Sequence, residues 1–123
     1  MVALTLTLTL GSTGALDVFD DVTYMGFGTG TTEPSISDTT LETETLRVLL
    51  DSFTKDTVNN IYTFIGRIPI TQLNSSTTTE LGLFNAVTSG TMRCRILSPV
   101  AVTKTNDEEV LFTLVIKTLA VNT

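Results

Sequence analysis

G-T-G-T-T-E-P-S-I-S-D-T-T-L-E-T-E-T-L-R, residues Gly28–Arg47, packs a glycine loop, a proline, a helix-start signal and a candidate ion pair into one short stretch. As a phosphate cradle between a strand and a helix, it would make an α/β nucleotide-binding enzyme. As an ordered connection between strands, it belongs to an all-β module. A Walker loop needs Gly, four residues, then Gly-Lys-Ser/Thr. Here the first cation after Gly28 is Arg47. A dinucleotide fingerprint needs G-x-G-x-x-G between a strand and a long helix. Gly26-x-Gly28-x-Gly30 has the wrong spacing, and Glu33 would repel phosphate. The β reading stands, with Gly28 and Gly30 read as residues free to adopt backbone angles closed to others.

Within this stretch, Pro34 interrupts regular structure. Thr39-x-x-Glu42 has capping-box spacing, and Asp38 is an alternative cap. One short helix is predicted near residues 39–46. In that helix Glu44 and Arg47 would be i, i+3 neighbours. Arg47 is also a candidate partner for Glu80. Glu80 and Arg95 lie on two strands joined by a hairpin and form a third candidate pair. One such pair is expected to be partly buried and to fix the loop against a sheet, Arg47 being the expected anchor.

Outward from the loop, the pattern is β. Leu4, Leu6, Leu8 and Leu10 alternate with Thr5, Thr7 and Thr9, and period two puts all the leucines on one face. Gly11–Gly14 reads as a turn. Further strands are predicted over 18–27, 46–53, 58–70, 79–86, 91–97, 100–104 and 110–121. Turns are predicted at Lys55–Thr57, Ser89-Gly90 and residues 105–108. Tyr62, Phe64, Ile68 and Ile70 are expected on one face, with Gly66 marking a bulge or a close approach. Met92, Cys94 and Ile96 are expected inward and Arg93 and Arg95 outward, with Pro99 ending that strand. Strand 110–121, apolar on both faces at first, is expected to be central in its sheet. Seven or eight strands with short connections argue one antiparallel β-sandwich, jelly-roll-like, over residues 1–123. Its strand over residues 3–10 is a candidate to pair with a neighbouring subunit.

Composition narrows function. The chain has 123 residues, 26 of them Thr, with 7 Lys and Arg against 13 Asp and Glu, for a net charge of -6. An acidic, lightly charged surface disfavours nucleic acid and anionic membranes, which both need clustered cations. No apolar run reaches membrane-spanning length. With no His and a single Cys94, there is no His-based triad and no Cys/His zinc site. Cys94 reads as a small core hydrophobe. Asp20, Asp21, Asp51 and Glu80 are glycosidase candidates by residue type only. Asn106–Glu109 has oxygen ligands for a hard cation but lacks EF-hand spacing, so a solvated turn is the reading. No catalytic residue, metal ligand or cofactor is expected.

Taken together, G-T-G-T-T-x-P (Gly28–Pro34), D-T-x-L-x-x-E-x-x-R (Asp38–Arg47), E-L-G-L-F-N-A (Glu80–Ala86), G-T-M-x-x-R (Gly90–Arg95) and Lys104-Thr105 resemble a family of small virion structural proteins. These occur in tailed bacteriophages and related archaeal viruses and are often described as tail or tail-fibre proteins. The resemblance covers roughly residues 20–120. It implies a non-enzymatic β-rich building block of the virion, made in the host cytoplasm. Its partners would be copies of itself and other virion proteins. Leu4, Leu6, Leu8, Gly28, Gly30, Pro34, Asp38, Glu44, Arg47, Glu80 and Arg95 are the candidate structural and assembly residues. Rival placements are the tail and, as a decorating protein, the head surface. A rival of another class is a carbohydrate-binding module for host recognition.

Overall fold

The computed structural model describes residues 2–10, 19–35, 38–56 and 58–118, with the backbone alone described at Thr9, Leu10, Pro99, Val100 and Thr118. Eight strands are described: β1 (Val2–Leu10), β2 (Tyr24–Gly28), β3 (Glu44–Leu49), β4 (Ser52–Asp56), β5 (Ile61–Ile68), β6 (Thr77–Phe84), β7 (Met92–Thr103) and β8 (Val110–Thr118). They form two four-stranded sheets, β1-β8-β5-β4 and β3-β2-β6-β7. The two sheets pack face to face as an all-β sandwich, and every pairing is antiparallel except the parallel β1–β8 pair. The turn expected at Gly11–Gly14 lies outside the described residues.

Alternation builds the core. In β8, Val110, Phe112, Leu114 and Ile116 are fully buried, while the residues between them are half-exposed. β5 follows the same rule with Tyr62, Phe64, Gly66 and Ile68 inward. Facing them are Met25, Phe27, Leu81 and Leu83 of the other sheet. The Phe27 and Phe112 rings meet across the sandwich at 5.3 Å. Gly66 is a close approach rather than a bulge: a Cβ there would lie 2.6 Å from the Met25 sulfur, and the β5 ladders run without a register shift. Strand β8 is central, as its two-faced apolarity implies.

Leu6 is buried, and Val2, Leu4 and Leu8 pack against the same core. The leucine face of β1 therefore belongs to its own subunit, in register with β8 from Val2↔Val110 to Leu10↔Thr118.

Several expectations are corrected. The stretch 46–53 is two strands, since the chain changes sheets at Leu50-Asp51. Lys55 and Asp56 close β4, and the turn follows at 58–60, where Asn60 takes a left-handed φ of 56°. β5 stops at Ile68, which leaves Ile70 exposed beyond it. Pro99 does not end β7. The β6–β7 register slips between Thr78 and Glu80, so β7 carries extra residues where Pro99 sits. On an edge strand a missing N–H on the open side costs no ladder bond. Ser89 and Gly90 do make the hairpin connection, both with positive φ.

The connection between β5 and β6 is held by a buried lysine. Lys104 is 1% exposed and continues the inward parity of Val102. Its ammonium donates to the Ile70 carbonyl at 2.7 Å, the Thr105 carbonyl at 3.1 Å and Asn74 Oδ1. Three donors thus meet three acceptors, and a buried charge is tolerated when it is fully hydrogen-bonded.

Candidate assembly site

The loop after β2 folds back over the outer face of sheet β3-β2-β6-β7. Register puts Gly28 opposite Glu80, Gly26 opposite Gly82 and Gly82 opposite Arg95 on this face. The Gly26/Gly82 pair leaves a trough. Leu41, 4% exposed, drops into it: a Cβ on Gly82 would lie 2.9 Å from its methyl carbon. Phe84 fills the remainder and is 2% exposed.

Beside that trough lies Glu80, with no exposed surface. Its Oε1 accepts from the Glu42 N–H at 2.9 Å and from Arg95 Nε at 2.8 Å. Its Oε2 accepts from the Gly30 and Thr43 N–H groups, both at 2.8 Å. One carboxylate therefore gathers both arms of the loop and the neighbouring strand. Burial pushes the Glu80 carboxyl up. The bonds from Thr43, Arg95, Glu42 and Gly30 outweigh burial, so it lies below the ordinary value of 4.5. The Arg95 side chain is 3% exposed; its Nη1 donates to the Thr32 carbonyl at 2.8 Å and pairs with Asp38 at 3.4 Å. Arg95 Nη2 is buried without a hydrogen-bond partner, 4.0 Å from Glu42 Oε1. Arg95 is thus an outward-parity residue that the loop covers, not a solvated one.

No helix occupies residues 39–46, and no α-helix occurs among the described residues. The groups that would cap it are used elsewhere. Glu42 Oε1 accepts from the Thr31 and Thr32 N–H groups, and Oε2 from the Thr32 hydroxyl at 2.5 Å. Asp38 Oδ2 accepts from the Ser35 N–H at 2.9 Å. The Glu42 and Thr43 N–H groups go to Glu80, and β3 begins at Glu44. Tertiary acceptors of this strength override a local cap.

Gly28 and Gly30 serve space rather than backbone angle, because neither has positive φ. A Cβ on Gly28 would lie 2.5 Å from Glu80 Oε2 and press on the Thr43 carbonyl; one on Gly30 would lie 2.6 Å from the same oxygen. Gly28→Ala is expected to cost about 1–3 kcal/mol, because backbone and a buried carboxylate cannot step aside. A urea titration of the purified variant measures it, and an unchanged midpoint would sink this account.

Arg47 is an anchor of a different segment. It makes a bidentate pair with Glu44 at 2.7 and 2.8 Å, within strand β3 rather than a helix. Its Nη1 donates to the Ala86 and Ser89 carbonyls, and its guanidinium lies 3.5 Å from the Phe84 ring centroid. It ties β3 to the β6–β7 hairpin and does not reach Glu80. Pro34 is exposed on the loop beside the open side of the sandwich, where it lines a cleft with Leu8.

The other carboxylates that residue type alone offered are committed to pairs. Asp20 accepts from Lys55 and the Tyr62 hydroxyl, Asp21 pairs with Arg93 at 2.6 Å, and Asp51 and Glu109 both hold Arg67. These partners split the carboxylates that composition grouped together. Among the described residues no cluster of three or more His, Cys, Asp or Glu could hold a metal ion. Burial pushes the Cys94 thiol up to about 12, so it is a thiol at neutral pH.

No family model, curated protein or solved structure matches this chain.

Sequence reasoning found Glu80 and Arg95 as hairpin partners but missed Glu42 and Lys104 as anchors. The one available signal was parity, since Lys104 falls on the inward phase set by Val102. Acid should weaken the Glu80 lock. Because the folded pKa is depressed, its stabilisation is complete above the unfolded value and is lost as pH falls through the folded one. Thermal midpoints are expected to hold flat above about pH 5 and to fall below it. A midpoint that rises on acidification would contradict the assignment.

Proposed function

We propose that this chain is a non-enzymatic structural protein of a tailed virus, assembling through subunit contacts in the tail, at its tip, collar or fibre attachment. The observation that carries this reading is the contrast between the two outer faces of the sandwich. One face is covered by the chain's own loop, and it is there that the residues of the family resemblance converge: Gly28, Gly30, Asp38, Glu80 and Arg95. The other face, on sheet β1-β8-β5-β4, is not covered by any described loop. Its two middle rows run Thr5–Thr113–Ile65–Ser52 and Thr7–Val115–Thr63–Thr54, without a charge. Charges enter only towards the row ends, with Arg67, Lys117 and Asp56. A hydroxyl- and methyl-rich surface without charges is desolvated at less cost than a charged one, which suits burial against a neighbour.

The same face would serve a protein decorating the head, and copy number separates the two placements. Mass spectrometry of purified particles is the test. A few to tens of copies per particle support the tail, and hundreds support the head. Absence of the chain from purified particles overturns the virion reading.

A further inference from the structure

The four sheet edges are not alike. Natural sheets blunt their edges with short strands, charges, prolines and bulges. Edge strand β4 has five residues and ends in Lys55-Asp56; β3 has six and carries Glu44 and Arg47. β7 carries Arg93, Arg95, Pro99 and a register slip. β1, V-A-L-T-L-T-L-T-L, is nine residues long with no charge, proline, glycine or register slip. Among the described residues no strand lies on its other side.

The direction of its free groups follows from one bond. The Val2 N–H donates to the Glu109 carbonyl, towards β8. Main-chain groups alternate sides along a strand, so those of Val2, Leu4, Leu6 and Leu8 serve β8. Those of Ala3, Thr5 and Thr7 point outwards, unpaired by any described strand. Along this edge runs a cleft of about 520 Å³ whose lining mixes apolar Leu6, Leu8, Ile96 and Pro34 with charged Glu33 and Arg95.

We propose that the open edge of β1 pairs antiparallel with β1 of a second copy of this chain, across a two-fold axis. The second copy fits for a reason of parity. An antiparallel ladder joins outward-pointing residues to outward-pointing residues. Ala3, Thr5 and Thr7 then meet one another, and leucine is necessarily set opposite leucine. Threonine and alanine line the outer face, leucine pairs extend the core face towards the cleft, and no charges meet along the ladder. The result is a continuous eight-stranded sheet, β4-β5-β8-β1 and its two-fold mate, in which the uncharged middle rows of the outer face double in extent. The inference deepens the assembly reading and rests on it for its setting, yet the isolated chain decides it, so either can fail alone.

The test is the solution mass of the full chain by sedimentation equilibrium. Twice 13.2 kDa is expected. Thr5→Pro removes an outward N–H that β8 does not use, so the subunit keeps its far-UV spectrum while the dimer weakens at least about tenfold, because each two-fold bond is lost in both directions. Thr5→Lys, which sets like charges directly opposite where Thr5 meets its own mate, is expected to do the same and keeps the test decisive should the proline variant fail to fold. A wild-type chain that stays monomeric at about 0.1 mM overturns the proposal, since specific interfaces of this kind reach micromolar affinity or better. A dimer that survives both substitutions also overturns it.

Discussion

Glu80→Gln is expected to destabilise the protein by about 3–5 kcal/mol, the range for removing one partner of a buried ion pair. The substitution is nearly isosteric, so the loss is electrostatic. Each carboxylate oxygen accepts two donors, four in all. Glutamine offers one oxygen, and its NH2 faces two N–H groups with nothing to accept them. Chemical denaturation measures the loss. The double variant Glu80→Leu, Arg95→Met separates two explanations. If the ion pair were the whole contribution, removing both charges would restore stability, because apolar replacements of buried pairs are often neutral. Here the Gly30, Glu42 and Thr43 N–H groups would remain buried without acceptors, so the double variant should stay destabilised. Wild-type stability in Glu80→Gln, or full recovery in the double variant, would show that the loop is held by other contacts.

Deleting residues 1–10 should abolish cooperative folding. Alternation alone suggests a strand offered to a neighbour, whose loss would weaken assembly more than folding. In the fold, β1 supplies a nine-residue ladder to the central strand and places Leu6 in the core at 5% exposure. Each ladder bond contributes about 0.5–1.5 kcal/mol net, and a buried leucine about 1.5–3 kcal/mol. Their sum rivals the ~5–15 kcal/mol total stability of a typical domain. The deletion also uncovers one edge of β8, whose Phe112 and Leu114 are fully buried. Circular dichroism of the truncated chain decides the matter. A cooperative melt within a few degrees of wild type would mean that β1 is dispensable to its own subunit.

What the sequence disclosed and what it withheld divide along a physical line. Period-two patterning in 4–10 and 61–68 and two-faced apolarity in 110–116 are properties of the strand itself, so faces, sheet class and the central place of β8 could be read directly. The Glu80–Arg95 pair was legible because a hairpin sets its two strands side by side. Its burial was not, because the cover comes from a loop some fifty residues away in sequence. The expected helix failed for the same reason. Thr39-x-x-Glu42 is a local signal, but its N–H is claimed by Glu80 on β6 and its carboxylate by Thr31 and Thr32 on the other arm of the loop. Pro99 misled because edge position is a tertiary fact. The glycines were read as torsional when they are steric, a distinction that depends on where Glu80 lies. Arg47 was given the loop to anchor and holds the hairpin instead, since only the fold brings Ala86 and Ser89 to it.

The placing of β8 also has a consequence in time. The strand that joins β1 to β5 is the last one described, so the first strand waits for residues more than a hundred positions downstream before it has a partner. Long loop closures precede any reward from pairing, and chains dominated by such pairings fold in milliseconds to seconds rather than microseconds. During synthesis, β1 emerges as an uncharged, alternating Leu/Thr segment well before β8, its described partner, is made. A newly made chain is therefore exposed to mispairing with its neighbours until β8 arrives.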